Sequence, residues 1–343
     1  MIVVMRSGAT QKEVSGVEAL IREMELTPQA IVGTDLTVVA VLGDDRKKDG
    51  DRLEQAAGVD RVMKVLQPYK LAMRADERQR SAVTLGGPQT RSEAVVIGGD
   101  AAGVPVIAGP CSVEGEREIL AAAEACKAAG ADALRGGAFK PRTNPYSFQG
   151  FGEDGLKMLA AARDATGLPV VTEVLTPTDV DLVSKYADCL QVGTRNSQNY
   201  KLLEACGKSD KPVLLKRGMA MTLDELLQAS EYVLSGGNQD VILCERGIRT
   251  FENHTRNTLS LSAVAELHRV SHLPVVIDPS HGTGKAHLVP SMALAAAAAG
   301  CDGLAIEVHP EPAKALTDGA QSITPAVLAE LMPKLKKVAE AVA

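Results

Sequence analysis

Tryptophan is absent from this chain, and phenylalanine, tyrosine and tryptophan together supply only 3% of it. The core must therefore be aliphatic, and aromatic platforms on which single-stranded nucleic acid could stack are not expected. Long apolar runs are missing too: the longest, Met292 to Ala299, is mostly alanine and falls far short of the ~20 residues that cross a bilayer. Six cysteines are scattered without paired spacing, and Met1-Ile2-Val3-Val4-Met5 opens no basic segment leading into an apolar stretch. A reducing, cytoplasmic setting is expected. Positive charge is not in excess, since 37 basic residues stand against 43 acidic ones for a net charge of -6. A general polyanion-binding surface is thereby excluded, so neither nucleic acid nor membrane is an expected partner, and any anionic ligand has to be held by a local cluster.

What is present is a two-part pattern. The length of 343 residues suits two domains or a large barrel with an appendage. The first part reads strand, helix, strand, strand, helix, strand: Ile2 to Arg6, Thr10 to Glu25, Ala30 to Val32, Leu36 to Leu42, about Asp51 to Ala57, and Arg61 to Leu66. Apolar residues at Val14, Val17, Leu20, Ile21 and Met24 give the first helix its spacing. This βαββαβ order predicts a ferredoxin-like domain over 1–66. Residues 67–93 are polar and turn-rich and predict a linker; beyond it a short strand, Ala94 to Ile97, belongs to a hairpin expected to close the bottom of the second part.

Within 94–343 an apolar strand, a polar loop and a helix recur. The strands are Val104 to Ala108, Ala133 to Arg135, Val170 to Val174, Cys189 to Val192, Val213 to Lys216, Val241 to Cys244, Val275 to Asp278 and Leu304 to Val308. Pro105, Pro169, Pro212 and Pro274 fall at strand entrances, where a missing N–H is tolerated. Alternation of this kind predicts an α/β fold, a (β/α)8 TIM barrel, with a doubly wound sheet as the alternative.

A reactive or charged group follows each strand: Cys111, Arg135, Glu173, Arg195, Lys216, Arg246, Asp278 with His281, and Glu307. A barrel brings all of these to its catalytic mouth. Cys111, His281, Glu307 and Asp318 offer sulfur, nitrogen and carboxylate donors suited to Mn, Fe, Co or Zn, although 170 positions separate Cys111 from His281. Taken singly, a cysteine is more often a buried hydrophobe and an aspartate before glycine a turn residue. Arg135, Lys140, Arg142, Arg195, Lys216 and Arg246 crowd the same mouth and imply a ligand with several anionic groups, unless Glu173, Glu245, Asp278 and Glu307 neutralise them.

The blocks that carry these residues, Gly109-Pro110-Cys111-Ser112, Arg135-Gly136-Gly137-Ala138-Phe139-Lys140-Pro141-Arg142-Thr143, Gly193-Thr194-Arg195, Leu215-Lys216-Arg217-Gly218, Cys244-Glu245-Arg246-Gly247, Asp278-Pro279-Ser280-His281 and Ile306-Glu307-Val308-His309, resemble the class I 3-deoxy-D-arabino-heptulosonate 7-phosphate (DAHP) synthases. The resemblance covers nearly the whole chain and is to the subfamily with an N-terminal ferredoxin-like domain. Lys140 to Thr143 differs from the Lys-Ala-Asn-Arg-Ser-Ser type block of the related octulosonate-phosphate synthases. Thr194 departs from the family's common alanine. The resemblance implies condensation of phosphoenolpyruvate with erythrose 4-phosphate at the entrance of the shikimate pathway. It implies one divalent metal, Mn2+ first with Co2+, Fe2+ or Zn2+ as alternatives, held by Cys111, His281, Glu307 and Asp318. Arg195, Lys216 and Arg246 would take the phosphate of phosphoenolpyruvate, Arg135 and Lys140 its carboxylate, and Arg142 and Thr143 the sugar phosphate. Lys140, Glu173, Cys111 and His281 are the catalytic candidates. An aromatic amino acid effector, tyrosine or phenylalanine, acting through the N-terminal domain, and a homotetramer are also implied.

Overall fold

The computed structural model describes the chain apart from residues 34–35, 64–67, 75–78, 102, 142–143, 145 and 343, and apart from the side chain of Asp45. Contacts divide it into two units, Met1–Gln79 and Arg80–Ala343.

In the first unit, β1 (Ile2–Met5), β2 (Thr27–Val32), β3 (Thr37–Leu42) and β4 (Val59–Met63) form an antiparallel sheet in the order β2-β3-β1-β4. This is the ferredoxin-like arrangement expected. Helix Gln11–Glu23 starts at a capping box, Thr10 accepting from Glu13 N while the Glu13 carboxylate accepts from Thr10 N. Its Val14, Val17 and Ile21 pack on Val3 and Met5 of β1 and Val39 and Val41 of β3. The alternate β1 residues Ile2 and Val4 join Val38 in a second apolar cluster on the other face. Two differences from expectation have local causes. The helix stops before Glu25 because that residue adopts a left-handed φ of 57°, and β2 begins ahead of Ala30, its Pro28 tolerated because β2 is an edge strand. The break at Gly33-Thr34-Asp35 and the end of the expected Arg61 to Leu66 strand fall partly outside the described residues.

The second unit opens with a hairpin of β5 (Ala82–Leu85) and β6 (Val95–Gly98). Ala82–Leu85, inside the stretch expected as linker, is thus a strand. β7 (Val106–Gly109), β8 (Ala133–Arg135), β9 (Val170–Val174), β10 (Cys189–Val192), β11 (Val213–Lys216), β12 (Val241–Glu245), β13 (Val275–Ile277) and β14 (Gly303–Glu307) come next, each parallel to its neighbours, and close into a barrel. Val83, Leu85 and Ile97 of the hairpin join Ile107, Leu214 and Ile242 of the barrel interior in one core. The hairpin approaches Pro169 and Pro274, just before β9 and β13, so it plugs the N-terminal end of the barrel. Helices return the chain outside; Leu223–Ser235 starts at a Thr222–Glu225 capping box, and Gly300, at φ 83°, ends the turn after Val289–Ala298. No helix among the described residues is long and apolar enough to cross a membrane.

Candidate active site at the barrel mouth

With its N-terminal end plugged, the barrel opens at the C-terminal ends of its strands. Arg135, Lys216 and Glu307 are the last residues of β8, β11 and β14, and Glu173 is next to last in β9. Cys111, Arg195, Arg246 and Asp278 lie in the segments just beyond β7, β10, β12 and β13. A cavity of about 310 Å3 occupies this mouth. Arg135, Lys140, Arg195, Lys216 and Arg246 line it, as do Glu173, His281 and Asp318. Arg142 and Thr143 lie outside the described residues.

Cys111, Glu307 and Asp318 each offer a donor atom within 4.8 Å of the others. The Cys111 thiol donates to Asp318 Oδ2 at 3.2 Å. His281 belongs to the same cluster through Nε2, 3.3 Å from Glu307 Oε1. Its other nitrogen, Nδ1, faces Asp278 Oδ2 at 2.7 Å. A carboxylate only accepts, so Nδ1 carries the proton and Nε2 presents its lone pair to the cluster. Glu307 is fully buried, and its Oε1 accepts no hydrogen bond, its one close cation being Arg135 Nη1 at 3.1 Å, whose own hydrogen-bond geometry is unsatisfied as well. A buried carboxylate oxygen left without a hydrogen bond is costly, and a cation among sulfur, imidazole and carboxylate donors would remove that cost, so these residues fit a divalent transition metal.

Electrostatics support the same arrangement. Burial, with Glu307 adding to it, pushes the Cys111 thiol up to about 12, so the thiol keeps its proton at neutral pH until a cation displaces it. Burial holds the His281 imidazole below its ordinary value, toward the neutral form that ligates. It would raise the Asp278 carboxyl, but His281 and Lys216 outweigh it and leave Asp278 well below the carboxylate range. Burial also opposes ionisation of Glu307 and is overcome by His281 and Arg135. Glu173 is the opposite case: its carboxyl is set deep in the mouth, though the residue keeps some exposed surface, and burial holds it above its usual range despite Lys140, Lys216, Arg135 and Arg195 nearby.

Acidic neighbours do neutralise some of the cations. Lys216 Nζ is 2.6 Å from Asp278 Oδ2 and Arg135 Nη1 is 3.1 Å from Glu307 Oε1. Glu245 instead takes Arg217 at 2.7 Å. Arg246 is buried, its Nη1 donating to the Gly247 carbonyl at 3.2 Å and its Nε left without a partner. Lys140 Nζ donates to the Cys111 carbonyl at 2.9 Å and reaches the sulfur at 3.0 Å, joining the cationic wall to the metal-type cluster. Gly137 makes this possible, because a Cβ there would lie 2.7 Å from Lys140 Cδ and 2.8 Å from the Cys111 carbonyl. The Thr194 hydroxyl donates to the Arg217 carbonyl at 3.1 Å, which ties the rim loops of β10 and β11 together.

Several residues that line or brace this site were not expected from the sequence: Gln191 inside β10, Met219 just beyond β11 and Arg256 in the cavity wall, and Gln321 behind Glu307. Gln191 lies within an apolar strand run and could have been noticed as an inward polar residue. Arg256 sits in the long loop after β12 and Gln321 at the end of the short 3-10 turn Gly319–Gln321, neither with a local signal.

Known proteins give the same picture. Residues 75–343 match the model of the DAHP synthetase I family, and residues 1–67 match that of the DAHP synthase ferredoxin-like domain. A phospho-2-dehydro-3-deoxyheptonate aldolase of Thermotoga maritima is 45% identical over 341 residues, covering 99% of this chain and 98% of that protein. A 2-dehydro-3-deoxyphosphooctonate aldolase of Desulfatibacillum aliphaticivorans is 35% identical over 255 residues, 69% of this chain and 92% of its own. Among solved structures, the Thermotoga maritima DAHP synthase superposes with a TM-score of 0.77 at 44% identity over 99% of this chain and 97% of that one. A truncated form of that synthase gives 0.72 at 45% identity over 80% and 97%. The chain therefore belongs to the DAHP synthetase I family, in the form that carries an N-terminal ferredoxin-like domain, and is an enzyme of that class.

Proposed function

We propose that the barrel mouth condenses phosphoenolpyruvate with erythrose 4-phosphate and water to give DAHP and inorganic phosphate. The observation that carries this is the cation-lined cavity immediately beside a thiol, imidazole and carboxylate cluster. Arg195, Lys216 and Arg246 hold the phosphate of phosphoenolpyruvate, and Arg135 and Lys140 its carboxylate. Arg142 and Thr143 hold the sugar phosphate. Two anionic substrates repel each other in water, and these fixed cations keep them at reacting distance with their orientation set. A bond forms between the methylene carbon of phosphoenolpyruvate and the aldehyde carbon, water adds at the enol carbon, and the carbon–oxygen bond to phosphate breaks. Glu173, held toward its protonated form by burial, is placed to carry a proton for these steps. Cys111, His281, Glu307 and Asp318 hold a divalent ion, Mn2+ first with Co2+, Fe2+ or Zn2+ as alternatives, which when bound supplies Lewis acidity toward a carbonyl oxygen.

The enzyme works in the cytoplasm, as its six unpaired, buried cysteines favour. It assembles as a homotetramer, and its ferredoxin-like domain takes tyrosine or phenylalanine as a feedback inhibitor. The test is a metal-depleted preparation assayed for phosphate release. Activity should return on adding Mn2+ or Co2+ with erythrose 4-phosphate and not with arabinose 5-phosphate, and should fall when the inhibiting amino acid is added. Full activity without metal, or preference for the five-carbon sugar, overturns the assignment; indifference to both amino acids overturns the regulatory part alone.

A further inference from the structure

We infer that Arg256 and Gln321 are positioning residues that select which oxygen of Glu307 faces the metal cluster; this rests on the four-donor cluster proposed above. Gln321 is buried, and its amide nitrogen donates to Glu307 Oε2 at 2.7 Å. That bond occupies one carboxylate oxygen and leaves Oε1, which accepts no hydrogen bond and lies 3.1 Å from Arg135 Nη1 and 3.3 Å from His281 Nε2, as the oxygen that faces the cluster. The amide oxygen of Gln321 accepts from Arg256 Nη1 at 2.8 Å.

This second contact sets the direction of the first. Were the Gln321 amide reversed, its NH2 would face a guanidinium and its carbonyl a carboxylate, and both contacts would turn repulsive. Arg256 therefore acts on Glu307 through Gln321. It also acts directly on another donor, since the same Nη1 lies 3.4 Å from Asp318 Oδ1. Asp318 holds a left-handed φ of 50°, a conformation that costs a non-glycine residue free energy and persists where surrounding contacts enforce it.

The segment carrying Arg256 is itself anchored to the third donor. Arg256 N donates to the Thr283 carbonyl at 2.8 Å, and Asn257 Nδ2 donates to the His281 carbonyl at 2.9 Å. One loop thus contacts or relays to Glu307, Asp318 and His281. Second-layer hydrogen bonds of this kind fix ligand orientation, and losing one weakens metal affinity roughly 10- to 100-fold.

The experiment is a cobalt(II) titration of the metal-depleted full-length enzyme, read by the thiolate-to-cobalt charge-transfer absorption, for the wild type, Arg256→Met, Gln321→Met and the double variant. Both single variants should bind cobalt roughly 10- to 100-fold more weakly while keeping the thiolate band, because Cys111 is untouched. The double variant should lose less than the product of the two single losses, because the residues act in series. Arg256 is partly exposed, with 39% of its side chain accessible, so Arg256→Met decides the matter should Gln321→Met not fold. Cobalt affinity of Arg256→Met indistinguishable from wild type overturns the relay. A matching drop in the melting temperature of the metal-free protein overturns it as well, by tracing the loss to general destabilisation. A wild type with no thiolate band refutes the four-donor cluster itself.

Discussion

Asp278→Asn isolates the contribution of one buried charge to both stability and chemistry. Asp278 has no exposed surface and receives three hydrogen bonds: Lys216 Nζ at 2.6 Å and His281 Nδ1 at 2.7 Å on Oδ2, and His281 N at 2.9 Å on Oδ1. Asparagine keeps the shape but removes the charge: with its carbonyl oxygen in the place of Oδ2 it still accepts from Lys216 and the imidazole, while its NH2 meets the His281 backbone N–H, donor against donor. Lys216 is itself buried, so it is left as an unpaired cation, a loss of about 3–5 kcal/mol. For a domain of this size that lowers the melting temperature by roughly 6 to 20 °C. The sign with pH follows from the direction of the shift. The Asp278 carboxyl is held well below its ordinary value, so its contribution is present above the unfolded-chain value of about 3.9 and is lost as pH falls through the lower folded value. The gap between wild type and variant should be full at neutral pH and should close only in strong acid. Thermal melts of metal-free protein measure the first effect. Phosphate release measures the second, which should be severe because Lys216 and the His281 imidazole lose the carboxylate charge that anchors both at the mouth. A variant that melts within about 2 °C of wild type at neutral pH and retains turnover refutes the account of Asp278 as the shared anchor of Lys216 and His281.

Glu173→Gln should separate stability from activity. Burial raises the Glu173 carboxyl, so its stabilising contribution is complete below about 4.3 and disappears as pH rises through the folded value. The neutral glutamine should therefore melt above wild type near pH 8, with the gap shrinking toward pH 4, while turnover falls about 10²- to 10⁴-fold; a less stable variant at pH 8, or one of unchanged turnover, contradicts the assignment. At Gly193 an added Cβ would collide with Glu173 Oε1 and lie 2.8 Å from its Cδ. Because a movable side-chain end is what must yield, Gly193→Ala should fold normally but displace the carboxyl and lower turnover about 100-fold, and wild-type kinetics would show that the position of Glu173 is immaterial.

The parallel strands were legible because both of their faces are buried, so most are written as short apolar runs, with Gln191 in β10 and Thr172 in β9 as polar exceptions, and a charged or reactive residue lies at or soon after the rim. Proline marks the entrances sharply: Val106, Val170, Val213 and Val275, the first residues of β7, β9, β11 and β13, each come directly after one. Ala82–Leu85 was hidden because a short strand declares itself only through its partner, and β6 lies across a turn of Gly86-Gly87-Pro88 that reads as linker. The convergence of charges at the mouth was likewise foreseeable, since position after a strand end is a property of the sequence once the barrel is assumed. The meeting of the proposed donors was not, because Cys111 and Asp318 come together only through the closure of β14 against β7, and as a ligand set they entered the reading through the family resemblance alone. Arg256 and Gln321 lay beyond both routes. Their role depends on the direction of one amide between a carboxylate and a guanidinium, which is fixed by contacts 14 and 65 positions apart in the chain. Residues that bind substrate sit at places the fold repeats, whereas residues that orient them sit wherever a loop passes close enough, so the second kind is found only by following hydrogen bonds outward from a buried atom that lacks one.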